Sequence, residues 1–242
     1  MSHWWTLPKQ GQSEDENEDA VAASTGILVL ADGATEAFFS RLWAHHLVEQ
    51  LTGAATWWEH PEETWVTRVA RAVEQWTEQL PPQESLPWHA QNKSLYGSAA
   101  AIAVLVFRSE QWRGIAVGDV TIFHLRGEEL MQSWPLSAPE QYTTHPPLVQ
   151  TRTVVAPLQV DGIWAEGDDL MVMTDALAAW SLRCVRDGRP LWAEVRALAD
   201  ETAWQDWVQR ARADGMKNDD VTVALVPHPG GEEPRHELSQ GK

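Results

Sequence analysis

Cysteine is all but missing: Cys184 is the single one in 242 residues. That excludes a disulfide framework within the chain and any cysteine-type zinc site, and it fits a reducing, cytoplasmic setting. Cys184 lies in an apolar, helical stretch with no nucleophile signature around it, so a packed thiol is expected. Basic residues are also scarce, 18 Lys and Arg against 35 Asp and Glu, for a formal net charge of −17. Such a chain repels a phosphate backbone, and with no basic run in the sequence, nucleic acid is not an expected partner. No apolar run approaches the roughly 20 residues that span a bilayer. No basic segment followed by an apolar one opens the chain, so no signal peptide is expected. The expectation is a soluble protein of the cytoplasm. Nucleophile-elbow, Walker, dinucleotide-fingerprint and HExxH patterns are absent as well.

What is present is alternation of short apolar runs with turn residues. Ala20–Ser24 and Gly26–Ala31 read as a hairpin that ends at Asp32–Gly33. Phe38, Phe39, Leu42, Trp43, His46 and Leu47 have helical spacing, with Gly53 as a stop. A second helix is expected from Pro61 to Leu80, with Trp65, Val69, Val73, Trp76 and Leu80 on one stripe. Residues 83–96 read as a polar loop. Strands follow at Ser98–Phe107, Gly114–Val117, Val120–Leu125 and Glu129–Ser133. Residues 134–150 carry four prolines and read as a long surface loop. Further strands are expected at Thr151–Ala156 and Asp169–Thr174. Helices then follow near Ala176–Val185, Leu191–Glu201 and Ala203–Ala213, and a last strand at Val221–Val226. Hairpin-like runs argue for antiparallel sheets. One domain over residues 1–226 and a disordered tail over 227–242 are expected. Fifteen tryptophans is a high count, and their positions on helical stripes point to packing rather than ligand stacking.

The acidic residues mark strand ends. Glu18 and Asp19 precede the first hairpin, Asp32 ends it, Asp119 follows Gly118 between two strands, Asp175 ends another, and Asp219 and Asp220 precede the last. Each alone is an ordinary turn or helix-start aspartate. If the strand ends meet at one edge, the carboxylates converge, and converged carboxylates call for hard divalent cations. Oxygen ligands without Cys or His clusters favour Mg2+ or Mn2+.

In order along the chain stand Asn17-Glu18-Asp19-Ala20, Ala31-Asp32-Gly33, Gly97-Ser98-Ala99-Ala100, Val117-Gly118-Asp119, Thr174-Asp175-Ala176 and Asp219-Asp220-Val221-Thr222. This succession resembles the motifs of the metal-dependent protein phosphatases of type 2C in their bacterial form, over roughly residues 11–226. The resemblance implies an α+β fold, a four-layer α-β-β-α sandwich of two antiparallel sheets flanked by helix pairs, with metals at one end. It implies that Asp32 bridges two ions, that Glu18 and the Gly33 carbonyl complete one shell, and that Asp175 and Asp219 hold the other. Asp119 would help bind a third, weaker ion, and Asp19 would stand behind the ligands and orient them or bound water. A water made acidic between two Mn2+ or Mg2+ ions would attack the phosphorus of phosphoserine or phosphothreonine. The implied partner is a phosphorylated protein of bacterial signalling, a Ser/Thr kinase or its target.

The sequence departs from the family pattern where a phosphate-binding arginine is expected four residues before the motif glutamate: Glu14 stands there. Arg41 is one candidate substitute, and a solvated surface arginine is the other reading of it. Asp175 is followed by alanine where the family has glycine. The alternative function is a catalytically weakened relative that binds a phosphoprotein.

Overall fold

In the computed structural model, residues 2–53, 57–153, 155–189, 191–228 and 230 are described. Most of the tail expected from residue 227 lies outside them. The strands are β1 (His3–Leu7), β2 (Asp19–Ser24), β3 (Ile27–Gly33), β4 (Ala99–Phe107), β5 (Gln111–Val117), β6 (Thr121–Arg126), β7 (Glu129–Trp134), β8 (Val149–Gln150), β9 (Leu158–Ile163), β10 (Asp168–Met173) and β11 (Val221–Pro227). The helices are α1 (Ser40–Thr52), α2 (Pro61–Gln79), α3 (Trp88–Ser94), α4 (Asp175–Arg186), α5 (Trp192–Arg196) and α6 (Glu201–Ala213).

Two antiparallel sheets result. One runs β1-β11-β10-β6-β7 and the other β2-β3-β4-β5-β9, with β8 pairing the start of β4. The period-two alternation of buried strands builds the layers. From β3 and β4, Leu28, Leu30, Ala101, Ala103 and Leu105 point inward and meet Ile122, Leu170, Val172, Ala224 and Val226 of the other sheet. The alternate residues Val29, Ala31, Ile102 and Val104 point outward against Trp43, Leu47 and Leu51 of α1 and Trp65, Val69 and Trp76 of α2. On the opposite side Phe123, Met171, Met173, Val223 and Leu225 meet Leu177, Trp192, Trp204 and Trp207 of α4, α5 and α6. This is the four-layer α-β-β-α arrangement.

The tryptophans are packing residues in this frame. Trp43, Trp57, Trp65, Trp112, Trp164, Trp192 and Trp204 are fully buried. Several use the indole N–H to tie one layer to a neighbouring loop: Trp43 Nε1 donates to the Val149 carbonyl at 2.9 Å, Trp57 to Leu51 at 2.8 Å and Trp65 to Val155 at 3.0 Å.

Three expectations are corrected and one strand is added. Residues 83–96 hold the short helix α3, which Pro87 leads into without an apolar stripe to announce it. Of the strand expected at Thr151–Ala156, Val154 lies outside the described residues; Thr151 is part of a turn, its hydroxyl accepting the Ser98 N–H at 3.0 Å, and the strand that pairs β5 lies at Leu158–Ile163. The expected helix over Leu191–Glu201 is confined to Trp192–Arg196, because Asp200 caps the next helix by accepting the Ala203 N–H at 2.8 Å. β1 was not expected; it is an edge strand on β11, with Trp4 exposed.

At the end of the sandwich where β10 begins, Asp168 is 1% exposed and accepts four donors: Arg126 Nε at 2.7 Å, Arg126 Nη2 at 2.9 Å, His124 Nε2 at 2.9 Å and the Ala165 N–H at 3.0 Å. The Arg126 guanidinium above all holds this carboxyl well below the usual range. A depressed carboxyl stabilises the fold above its unfolded pKa and loses that contribution as pH falls. Asp168→Ala should therefore destabilise by about 2–3 kcal/mol near neutrality, leaving buried His124 without its acceptor. Urea denaturation at pH 7 and again near pH 3 checks this; an equal loss at both would contradict it.

Candidate metal centre

Antiparallel pairing carries the acidic strand ends to one place. Asp19 at the start of β2 lies opposite Asp32 at the end of β3, and Asp32 lies opposite Ala101 near the start of β4. Val117, the last residue of β5, pairs Ile102 of β4, so the turn holding Asp119 reaches the same end. In the other sheet Met173 pairs both Thr121 and Val223, which brings Asp175 and Asp219 there too. Two glycines permit the close approach. Gly118 turns the chain with φ +101, and a Cβ on Gly33 would stand 3.0 Å from the Glu18 and Ser40 carbonyl oxygens.

The two sheets are joined at this end by Asp19. Its Oδ2 accepts the Thr222 hydroxyl at 2.7 Å and the Thr174 hydroxyl at 3.2 Å, both from the opposite sheet. Because Thr222 donates to the carboxylate, its oxygen accepts the Thr6 hydroxyl at 2.8 Å, and Thr6 in turn accepts the Asn17 amide at 2.8 Å. Asn17 also fixes Asp19 through a 2.9 Å bond from the Asp19 N–H. The other oxygen, Asp19 Oδ1, is buried and has no partner among the described residues.

Glu18 is oriented from two sides. Its N–H donates to Asp220 Oδ2 at 2.8 Å, and its Oε1 accepts a short bond from the Ser40 hydroxyl at the start of α1. Asp220 Oδ1 accepts the Lys9 N–H at 2.7 Å. The sequence pointed to Asp219 as the ligand of this pair; the anchoring roles of Asp220 and Ser40 were not legible, since nothing in the chain order links them to Glu18.

The electrostatics follow from burial and like charge. Burial raises Asp32 well above the ordinary carboxyl value, and the charges of Asp19, Asp175, Asp119 and Asp219 add to the rise. Asp19 is raised well above it too, first by burial and then, against the pull of Thr222, by Asp220 and Asp175. Asp119 is raised to about 7 by burial, with Asp175 adding to it. Asp175 is raised by burial and by Asp219, with Lys217 opposing. The Asp32 carboxylate accepts no hydrogen bond among the described residues. Lys217 Nζ stands 2.5 Å from Asp219 Oδ2 and 3.5 Å from Asp175 Oδ2. Among the described residues no three His, Cys, Asp or Glu side chains form a ready metal cage. The fit to a hard cation rests on the all-oxygen donor set, the orphaned Asp19 Oδ1 and the bare Asp32 carboxylate. Glu18, Asp32, the Gly33 carbonyl, Asp119, Asp175 and Asp219 are the groups that could hold ions. Asp19 commits its Oδ2 to the joint between the sheets and keeps its Oδ1 free.

Two hollows open beside this end. One of about 320 Å3 is lined by Tyr142, Thr143 and Thr144 of the proline-rich loop together with Asp175 and Lys217. Tyr142 is fixed there by a 2.7 Å bond between its hydroxyl and that of Thr121. The other, of about 820 Å3, is shared by Asp19, Glu14, Arg41 and His45. Arg41 is tethered by its Nε to the Asn17 carbonyl at 3.1 Å, one residue before Glu18. Glu14 is exposed.

A raised carboxyl costs stability between its unfolded and folded pKa values, so the metal-free fold weakens as pH rises from about 4 to about 7, the Asp119 value. In chelator, the melting temperature should fall between about pH 4 and about pH 7, and excess Mn2+ should remove most of the fall near pH 7. Scanning calorimetry with and without Mn2+ checks it; a flat chelator profile would count against the cluster.

The family model described as protein phosphatase 2C matches residues 9–219. A search of the curated proteins finds no match. Among solved structures the chain is similar to PppA, described as a key regulatory component of T6SS in Pseudomonas aeruginosa, with TM-score 0.64 and 17% identity over 94% of this chain and 96% of that one. It is similar to the serine/threonine phosphatase Stp1 from Staphylococcus aureus, with TM-score 0.65 and 18% identity over 93% of each chain. It is also similar to the catalytic domain of the serine/threonine phosphatase PstP in complex with two manganese ions, with TM-score 0.61 and 15% identity over 93% of this chain and 96% of that one. At such identities the structural likeness speaks for the fold, and the family model speaks for descent: this chain belongs to the protein phosphatase 2C family.

Proposed function

We propose that the chain is a metal-dependent phosphoprotein phosphatase acting on phosphoserine and phosphothreonine. The observation that carries the proposal is the convergence of Asp32 with Asp19, Asp119, Asp175 and Asp219 from both sheets, the Asp32 carboxylate itself unpartnered. Mn2+ or Mg2+ held there would supply charge neutralisation of a phosphoryl group and a water acidic enough to attack phosphorus near neutral pH. PstP, a structural relative, was solved with two manganese ions, which favours that pair of positions here.

The chain's own residues have distinct parts. Asp32 would serve both ion positions. Glu18 and the Gly33 carbonyl serve one, with Asp220 and Ser40 fixing the Glu18 backbone and carboxylate. Asp175 and Asp219 would serve the other, and Asp119 a third, weaker one. Asp19 keeps the sheets in register through Thr174 and Thr222, and its free Oδ1 is available to orient water. Arg41 is the guanidinium in the hollow shared with Asp19, and with Glu14 exposed it takes the phosphate-contacting part. The substrate side is a phosphorylated protein, a Ser/Thr kinase or a kinase target, whose flanking residues would lie along the Tyr142–Thr144 loop.

Glu14 in place of a phosphate-contacting arginine favours a second reading, a weakened relative that binds a phosphoprotein without turnover. Hydrolysis of p-nitrophenyl phosphate and of a phosphothreonine peptide separates the two. Turnover should require Mn2+ or Mg2+ and should drop at least about 100-fold in Asp32→Ala, since both ion positions lose a ligand. Activity that persists in excess chelator would reject the proposal. Arg41→Ala should raise KM for the peptide about tenfold, a loss of about 1.4 kcal/mol, with Mn2+ affinity unchanged.

A further inference from the structure

The two halves of the acidic cluster do not carry the same charge. On one half, the Asp32 carboxylate has neither a hydrogen bond nor a cation partner among the described residues. On the other, Asp219 lies between two ammonium groups: Lys217 Nζ at 2.5 Å from Oδ2 and Lys9 Nζ at 4.0 Å from Oδ1. Lys217 also reaches Asp175 Oδ2 at 3.5 Å, so one ammonium bridges the two carboxylates assigned to one ion position.

The backbone that presents Lys217 is fixed on both sides. Gly215 turns the chain out of α6 with φ +95, Met216 is buried and its N–H donates to the Ala211 carbonyl at 2.9 Å. Arg212 Nη2 donates to the Asp219 carbonyl at 2.8 Å and to the Pro8 carbonyl at 3.0 Å. The side chain is different: Lys217 is 64% exposed and borders the Tyr142–Thr144 hollow. A long, flexible stem on a fixed backbone allows the ammonium to sit between the carboxylates or to withdraw into water.

We propose that Lys217 is a resident cation of the Asp175–Asp219 half of the centre, competing with the divalent ion for those carboxylates and making the two ion positions unequal in affinity. This rests on the ligand assignment given under the proposed function and extends it. An ion entering between Asp175 and Asp219 meets an ammonium already there, so binding includes the work of displacing it. An ion entering between Glu18, Asp32 and the Gly33 carbonyl meets no such competitor. Lys217 also offsets the repulsion between Asp175 and Asp219 while no divalent ion is bound. It thus acts on metal affinity and on metal-free stability in opposite senses.

Calorimetric titration of the full chain with Mn2+ at fixed pH and ionic strength tests the inference, with free Mn2+ followed by electron paramagnetic resonance. The wild type should bind one ion tightly and a second more weakly. Lys217→Met should tighten the weaker class about tenfold, equivalent to about 1.4 kcal/mol, and leave the tighter class unchanged. In chelator the same variant should melt at a lower temperature than the wild type. Lys217→Arg keeps the charge, so it should restore wild-type affinity and stability. Equal Mn2+ isotherms for the wild type and Lys217→Met would overturn the competition while leaving the metal centre standing. Failure of both proteins to bind Mn2+ would overturn the centre and this inference together.

Discussion

The buried carboxylate of Asp19 accepts the hydroxyls of Thr222 and Thr174 across the gap between the two sheets. That bond pair determines where the sheets meet at their acidic end. The donors come from the start of β11 and from the residue before α4, so the same contact places Asp219 and Asp175 opposite Asp32. The chain of bonds from Asn17 through Thr6 to Thr222 extends the tie to β1. Each member donates in one direction only, which requires the Asp19 oxygen at its end to be an acceptor. The like charges around it push its proton affinity up, and the threonines pull it down.

The rest of the fold resists the repulsion of five gathered carboxylates. Apolar burial on both faces of each sheet supplies the cohesion, and small inward residues, Ala101, Ala103 and Ala224, let the sheets close. Trp112 and Trp164 fill the remaining space between the sheets, and Trp43, Trp65, Trp76, Trp192, Trp204 and Trp207 fill the space between sheet and helix. Asp168 holds the opposite end with a fully partnered carboxylate. The two ends thus differ in kind: a satisfied ion pair at one, a set of under-satisfied acids at the other. Under-satisfied buried acids are costly, and they persist where a cation or substrate completes them.

Lys217 and Arg41 give the site its individual character. Neither belongs to the succession of short motifs, and both are long cationic side chains at the rim of an acidic centre. Arg41 is aimed by a bond to the backbone beside Glu18, and Lys217 by the turn that leads into Asp219. Both could only be assigned a part once the strand ends were seen together.

By itself the sequence determined the run of short strands and helices and the placing of acids at strand ends. Short apolar runs broken by turn residues, the stripes of α1 and α2, and the lack of Cys pointed to antiparallel sheets and oxygen donors, while the layered α+β arrangement followed from the resemblance carried by the succession of motifs. The order of Glu18, Asp32, Asp119, Asp175 and Asp219 along the chain was legible because each stands at a strand end. The edge strands β1 and β9 and the short helix α3 were not legible, since half-exposed strands lack a clean apolar period and one helical turn or two lack a stripe. Only the tertiary structure decided that these strand ends share one place, that Asp220 and Ser40 fix Glu18, and that an ammonium from Lys217 lies across Asp175 and Asp219. Those facts depend on pairings between residues up to about 200 positions apart, such as Glu18 with Asp220, and no local pattern encodes such contacts.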